Sequence, residues 1–356
     1  MIEKKKVCFL SIGNISRCPY MQQYTKHMDT SYSVIYWDRE GICEDQGQNT
    51  FHRFSFEVKP GDTLAKIKGY FGFRKFAQKK LKEENYDVLV VLQTWTAIIL
   101  TDILTKQFAG KYIVDIRDYT YENNKVIYGL EKRLVSHSLY NVISSPGYKA
   151  FLPDADYLVS HNTRPLQKDA VSEIRGREKN KSTLNIAFIG YVNYHEQQKK
   201  LMLALKNDPR YMISFIGTRA MELESFCKEN DIKNVTLIDT FSPSVILELY
   251  KNVDFINNLY GNHTPVLDYA LSNKLYFSGE LAIPILVCRD TYMAKVSQQY
   301  GLGLTVDEID SKLGDILFDY YTQIDWAQFE NCCDRFLDDV AQENQKFNQL
   351  IGEALS

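Results

Sequence analysis

Lys274 stands two residues after Ser272, where the pattern predicts the start of a helix over 272–281 that runs into a buried strand. A helix N-terminus offers unpaired N–H groups and the positive end of the helix dipole, so it attracts phosphate. Ser272 is a capping residue type, and Lys274 adds a full charge. The alternative is a surface helix whose lysine is merely solvated. A second group, Asp115-Ile116-Arg117-Asp118, ends an expected strand. A carboxylate there, above all Asp118, is placed to orient an acceptor hydroxyl or take its proton. An Asp115–Arg117 ion pair that only holds the loop is the alternative. A third group, Gly13, Asn14 and Arg17, leaves the first strand and suits a loop lining a ligand crevice. It lacks the G-x-G-x-x-G spacing of a nicotinamide enzyme. His263 and Thr264 precede the Lys274 helix and are candidates for the same pocket.

No metal is expected. His137, His161, His195 and His263 have no ligand spacing, and Asp154-Ala155-Asp156 precedes a strand and reads as a turn.

These groups need a scaffold, and the chain alternates short apolar runs with amphipathic stretches. Strands are expected at Val7–Ile12, Tyr32–Trp37, Phe51–Val58, Val88–Leu92, Tyr112–Ile116, Asn141–Ser144 and Tyr157–Ser160. The alternation restarts with Asn185–Ile189, Met212–Ile216, Val235–Ile238, Asp254–Asn257, Ile283–Val287 and Leu302–Val306. Helices between strands predict parallel sheets covered on both faces. The expected organisation is a domain over 1–165, a polar linker over 166–183, a second domain over 184–324, and a helical region over 325–356 packing back on the first domain. The fold class is α/β, two Rossmann-like doubly wound domains facing a central cleft. Ligands in such sheets bind beyond the C-terminal strand ends.

Composition sets outer limits. The 356 residues exceed one ordinary core. A net charge of -3 argues against a nucleic-acid binder. No run approaches the roughly 20 apolar residues that span a bilayer. Met1–Lys6 is charged, and the short apolar run after it, Val7–Ile12, reads as a first strand and not as a secretion signal. The seven cysteines have no metal-type pairing and read as reduced cytoplasmic thiols.

The segment Asn273-Lys274-Leu275-Tyr276-Phe277-Ser278-Gly279-Glu280-Leu281-Ala282-Ile283-Pro284 resembles the P-N-K-L-F-E-Y-L-A-A-G-K-P stretch of GT-B glycosyltransferases, especially the retaining family four. Asn273, Lys274, Leu275 and Pro284 match in place. Phe241–Asp254, Tyr300–Val306 and the D-x-R-D of Asp115–Asp118 resemble further family segments, the last one a capsule and O-antigen subgroup. The resemblance implies a nucleotide diphosphate sugar bound by Gly190, Tyr191, Gly217, His263, Thr264, Ser272, Asn273, Lys274 and Glu280. It implies a saccharide acceptor, lipid-linked by analogy, bound by Gly13, Asn14, Arg17, Asp115, Arg117 and Asp118. Asp118, Lys274 and Glu280 would be catalytic, with no further cofactor. The chain departs from the family where a second glutamate falls on Phe277; Glu280, one turn on, could reach a similar place or be a surface acid. The family's basic pair after the first strand of the second domain is replaced by Gly190-Tyr191, where Gly190 allows close backbone approach to a diphosphate.

Residues 64–82 carry seven lysines and arginines, no acid, and interleaved Leu64, Ile67, Tyr70, Phe71, Phe73 and Phe76. That composition suits an anionic membrane surface, at the inner face of the cytoplasmic membrane, or a solvated helix with its apolar side in the core. The expected activity is sugar transfer in surface polysaccharide synthesis. A sugar-nucleotide 2-epimerase and an inactive partner subunit remain open, the latter because of Phe277.

Overall fold

The computed structural model describes residues 5–29, 31–44, 47–59 and 61–356, so Met1–Lys4 of the expected N-terminal segment lie outside it. The chain forms two compact units, Met1–Asn162 with Ala341–Ser356, and Thr163–Val340.

Unit 1 is built on β1 (Val7–Ser11), β2 (Ser33–Asp38), β3 (Thr50–Ser55), β4 (Val88–Leu92), β5 (Tyr112–Ile116), β6 (Tyr140–Ile143) and β7 (Leu158–Val159). All pair in parallel, in the order β3-β2-β1-β4-β5-β6-β7. The strands VCFLS and VLVVL are buried at every position, which is why they read as unbroken apolar runs and not as alternation. The helices are α1 (Gln22–Thr25), α2 (Thr63–Glu83), α3 (Thr94–Ile99), α4 (Thr101–Gln107) and α5 (Lys125–His137). Gly69 and Gly72, which by propensity weaken α2, are what lets it lie close to the sheet: a Cβ would come within 2.1 Å of the Trp37 ring and 2.6 Å of the Phe54 ring.

Unit 2 begins with α6 (Lys168–Arg175), inside the stretch expected to be a linker. Ile174 is buried against Leu281 and Ala282, and Arg175 donates to the Gly279 and Glu280 carbonyls. Eight mostly polar residues with a single buried side give too little pattern to stand out in sequence. The sheet is β8 (Leu184–Ile189), β9 (Tyr211–Ile216), β10 (Val235–Ile238), β11 (Phe255–Asn258), β12 (Ile285–Cys288) and β13 (Gly303–Val306), parallel, ordered β10-β9-β8-β11-β12-β13. Its helices are α7 (His195–Ala204), α8 (Glu224–Glu229), α9 (Ile246–Tyr250), α10 (Pro265–Tyr269), α11 (Asn273–Leu281), α12 (Tyr292–Tyr300) and α13 (Leu313–Thr322).

The last helix, α14 (Trp326–Leu355), is continuous. Phe329, Cys333 and Phe336 pack in the core of unit 2, while Phe347, Ile351 and Leu355 pack with Phe9 and Tyr24 in unit 1. No helix among the described residues is long and apolar enough to cross a membrane. Strand order reverses between β1 and β4 in unit 1 and between β8 and β11 in unit 2. Those switch points are where doubly wound sheets bind ligands.

Candidate functional site

In unit 2 the chain leaves β8 at Gly190 (φ 129°) and β9 at Gly217 (φ 131°). A Cβ on Gly217 would sit 1.9 Å from the Gly190 carbonyl oxygen, so two turns that only glycine adopts easily are pressed together at the strand ends. A Cβ on Gly190 would lie 3.9 Å from Lys274 Nζ. Lys274 comes from the first turn of α11, where Ser272 is the N-cap and its Oγ accepts the Lys274 N–H at 3.2 Å.

Lys274 is not a solvated lysine. It is 6% exposed, donates to Tyr260 Oη at 3.0 Å, and lies 3.9 Å from the Phe188 ring centroid. Among the described residues no carboxylate pairs with it. A buried ammonium without a counter-charge is costly, and aromatic faces offset only part of that cost. The arrangement has a place for an anion.

Beside it lies a cavity of about 300 Å³, lined by Asn258 at the end of β11, Tyr260 and Gly261 after it, α10, Ser272, Asn273, Thr291 and Met293. Thr291 caps α12, its Oγ1 accepting the Ala294 N–H. The cavity wall therefore carries the N-caps of two nine-residue helices. His263 (φ 64°) lines a neighbouring opening of about 440 Å³ with Lys200, Arg289 and Asp307, and Thr264 is the exposed N-cap of α10. Tyr191 is exposed, with the Arg219 guanidinium over its ring at 5.6 Å.

Unit 1 gathers its polar residues differently. Asp115, fully buried at the end of β5, binds Arg117 through both oxygens, at 2.5 and 2.9 Å, and accepts from Tyr24 Oη at 2.7 Å. Arg117 also donates to Ser160 Oγ and its carbonyl, and stacks on Tyr20. This is the loop-holding ion pair. Asn14 is buried and bridges Asp38 and the Arg39 N–H. Burial pushes the Asp38 carboxyl up, but bonds from Asn14, the Ile42 N–H and Arg53 together hold it below its ordinary range. The Ile15 and Ser16 N–H groups are taken by the Glu44 carboxylate, and Arg17 by Glu40. Nothing lies within 4 Å of where a Gly13 Cβ would be. Asp118 is the exception to closure: its residue reaches water, yet packed surroundings raise its carboxyl and the Arg117 charge only partly opposes them.

No family model and no curated protein matches the chain. Solved structures do. The sucrose-phosphate synthase of Thermosynechococcus elongatus aligns at a TM-score of 0.69 and 10% identity, over 98% of each chain. The lipopolysaccharide outer core galactosyltransferase WaaB gives 0.67 and 13%, over 97% of this chain and 99% of that one. Anabaena HepE, solved with UDP-glucose, gives 0.64 and 12%, over 99% of both. The chain has the GT-B fold.

In this GT-B chain Phe277 is a core residue, stacked on Tyr250 with ring centroids 5.0 Å apart. Glu280 sits six residues beyond Lys274, roughly 9 Å along the helix, and is not among the residues lining either cavity. Burial pushes its carboxyl up to about 7, with Arg164 and Arg175 opposing. The structure thus brings Gly190, Gly217, Ser272, Asn273 and Lys274 together and leaves Glu280 at the helix's other end. Sequence reasoning missed Asn258, Tyr260, Thr291 and Met293. The polar end of β11 was the one available signal, since the others acquire meaning only through packing.

Proposed function

We propose that this GT-B chain is a glycosyltransferase that takes a sugar from a nucleotide diphosphate sugar held by unit 2 and passes it to a saccharide acceptor bound by unit 1. The observation that carries the reading is Lys274, buried beside the α11 N-terminus with no carboxylate partner among the described residues. A leaving diphosphate supplies the missing negative charge, and its charge grows as the glycosidic bond breaks, so the same contact stabilises the transition state. Gly190 and Gly217 let backbone approach the phosphates, and no metal is needed for that neutralisation. HepE is solved with UDP-glucose, which makes uridine donors the first to test. Asp118 orients the acceptor hydroxyl, Asp115 and Arg117 hold the Asp118 loop, and Asn14, buried on Asp38 and the Arg39 N–H, holds the loop after β1. Retention of configuration follows from the family resemblance.

A lipid-linked acceptor in surface polysaccharide synthesis fits α2. Leu64, Ile67 and Phe71 are 74%, 46% and 65% exposed and fall on one side of the helix. Arg74 pairs with Asp102, and Lys79 and Lys80 pair with Glu83, but Lys66, Lys68, Lys75 and Lys82 have no carboxylate partner among the described residues. An apolar stripe bordered by free cations suits the inner face of a cytoplasmic membrane.

Incubation with labelled sugar nucleotides tests the reading. Slow hydrolysis or transfer supports it. An isomerised donor would make the protein a 2-epimerase, and absence of any nucleotide binding would make it a partner subunit.

A further inference from the structure

Asn257 and Asn258 end β11 side by side and have opposite fates. Asn257 is paired at both ends: Nδ2 donates to Gln198 Oε1 at 2.8 Å, and Oδ1 accepts the Leu259 N–H at 3.0 Å. Asn258, on the other face of the strand, is 4% exposed, and its Oδ1 has no hydrogen-bond partner among the described residues. A buried amide oxygen left unpaired is destabilising. Asn258 lines the unit 2 cavity, whose wall is apolar along Leu267, Leu271 and Met293 and polar along Tyr260, Ser272 and Thr291.

We propose that Asn258 reads an amide group of the nucleotide-sugar donor, seated in this cavity; the inference rests on the donor site proposed above. An amide returns a donor and an acceptor in one plane, matching both ends of the asparagine side chain. Its carbon flank then lies against the apolar wall. A bare polyol would satisfy Asn258 but has no carbon flank to lie along Leu267, Leu271 and Met293. Two parts of a donor carry this chemistry: the imide or lactam edge of a uracil, thymine or guanine base, and the acetamido group of an N-acetylated sugar.

Calorimetric titration of the full chain and of Asn258→Leu separates the sources. The probes are UDP, dTDP, GDP, ADP, UDP-glucose and UDP-N-acetylglucosamine. Asn258→Leu is close in size and removes an unpaired polar group, so its melting temperature should hold or rise. If the base is read, wild type prefers one of UDP, dTDP or GDP over ADP, and Asn258→Leu weakens that nucleotide on the order of ten-fold. If the sugar is read, UDP binding is unchanged, wild type prefers UDP-N-acetylglucosamine over UDP-glucose, and the variant loses that preference. A folded Asn258→Leu that binds every probe like wild type overturns the assignment and leaves the donor site standing. Leu271→Gln, which puts a polar group on the wall, should weaken the same probe; its failure to do so likewise counts against the cavity. A wild type that binds none of the probes removes the donor site and this inference together.

Discussion

The two sheets of this chain end in different ways. In unit 1 most of the polar groups beyond the strands satisfy one another: Asp115 with Arg117 and Tyr24, Asp38 with Asn14 and Arg53, and the Ile15 and Ser16 N–H groups with Glu44, while Arg39 keeps two guanidinium nitrogens buried without a partner among the described residues. In unit 2 they are left open: among the described residues Lys274 has no carboxylate partner and Asn258 Oδ1 no donor, and two helix N-caps face a cavity. A closed network holds a loop in place and costs nothing when no ligand is bound. An open one is destabilising until a ligand completes it, and such groups persist at sites selected for binding. The fold repeats, but the buried lysine beside a helix N-cap and a cavity is found in unit 2.

Breaking the closed network should have the largest effect. Asp115→Ala leaves the Arg117 guanidinium buried and unpaired, and unfolding in urea should show a loss of about 3–5 kcal/mol. A loss below about 1 kcal/mol would mean that Arg117 finds another partner and that the network is not closed. Lys274→Ala should do the reverse, leaving the melting temperature unchanged or raised while cutting turnover roughly ten- to hundred-fold, the worth of a charge-assisted contact of ~1.5–3 kcal/mol. Turnover equal to wild type in the folded variant takes Lys274 out of the site.

Unit 1 has strained polar groups of its own, and pH sharpens the contrast at one of them. Glu131 on α5 and Glu122 in the loop after Asp118 are both buried, and their carboxyls neighbour each other. Burial first, then the neighbouring Glu122, pushes Glu131 up to about 9 from an ordinary 4.5. A raised carboxyl favours the folded chain most below the ordinary value, and that advantage is lost as pH climbs toward the raised one. Glu131→Gln should therefore melt near wild type around pH 5 and a few degrees higher at pH 8. Parallel melting curves for the two proteins across that range would show that the pair is not strained. The smallest expected effect is on α2, where unit 1 keeps its open cations. Each Lys→Gln change among Lys66, Lys68, Lys75 and Lys82 should weaken flotation with anionic vesicles about five-fold at low salt, for about 1 kcal/mol per cation. Indifference of wild type to such vesicles would assign α2 to solvent.

Much of the scaffold was legible. Strands buried on both faces appear as runs such as VLVVL, and each strand of both sheets coincides with an expected run to within a few residues. The short one-sided helices α6 and α10 were not legible, because eight and five residues carry no usable period. At the site, Ser272 marked the start of α11, and the resemblance singled out Lys274. That Lys274 is buried follows from Phe188 and Tyr260 closing over it, residues 86 and 14 positions away in sequence. The orphaned oxygen of Asn258 is likewise a property of packing, since its neighbour Asn257 has the same side chain and is paired at both ends.

The central claim is that unit 2 is unfinished without an anion. Titration of wild type and Lys274→Ala with UDP, dTDP, GDP and ADP in EDTA tests it most directly. We expect at least one diphosphate to bind wild type without metal, and to lose roughly ten-fold or more in affinity with Lys274→Ala. A diphosphate that binds both proteins equally, or that binds only when Mg²⁺ or Mn²⁺ is restored, would contradict the account.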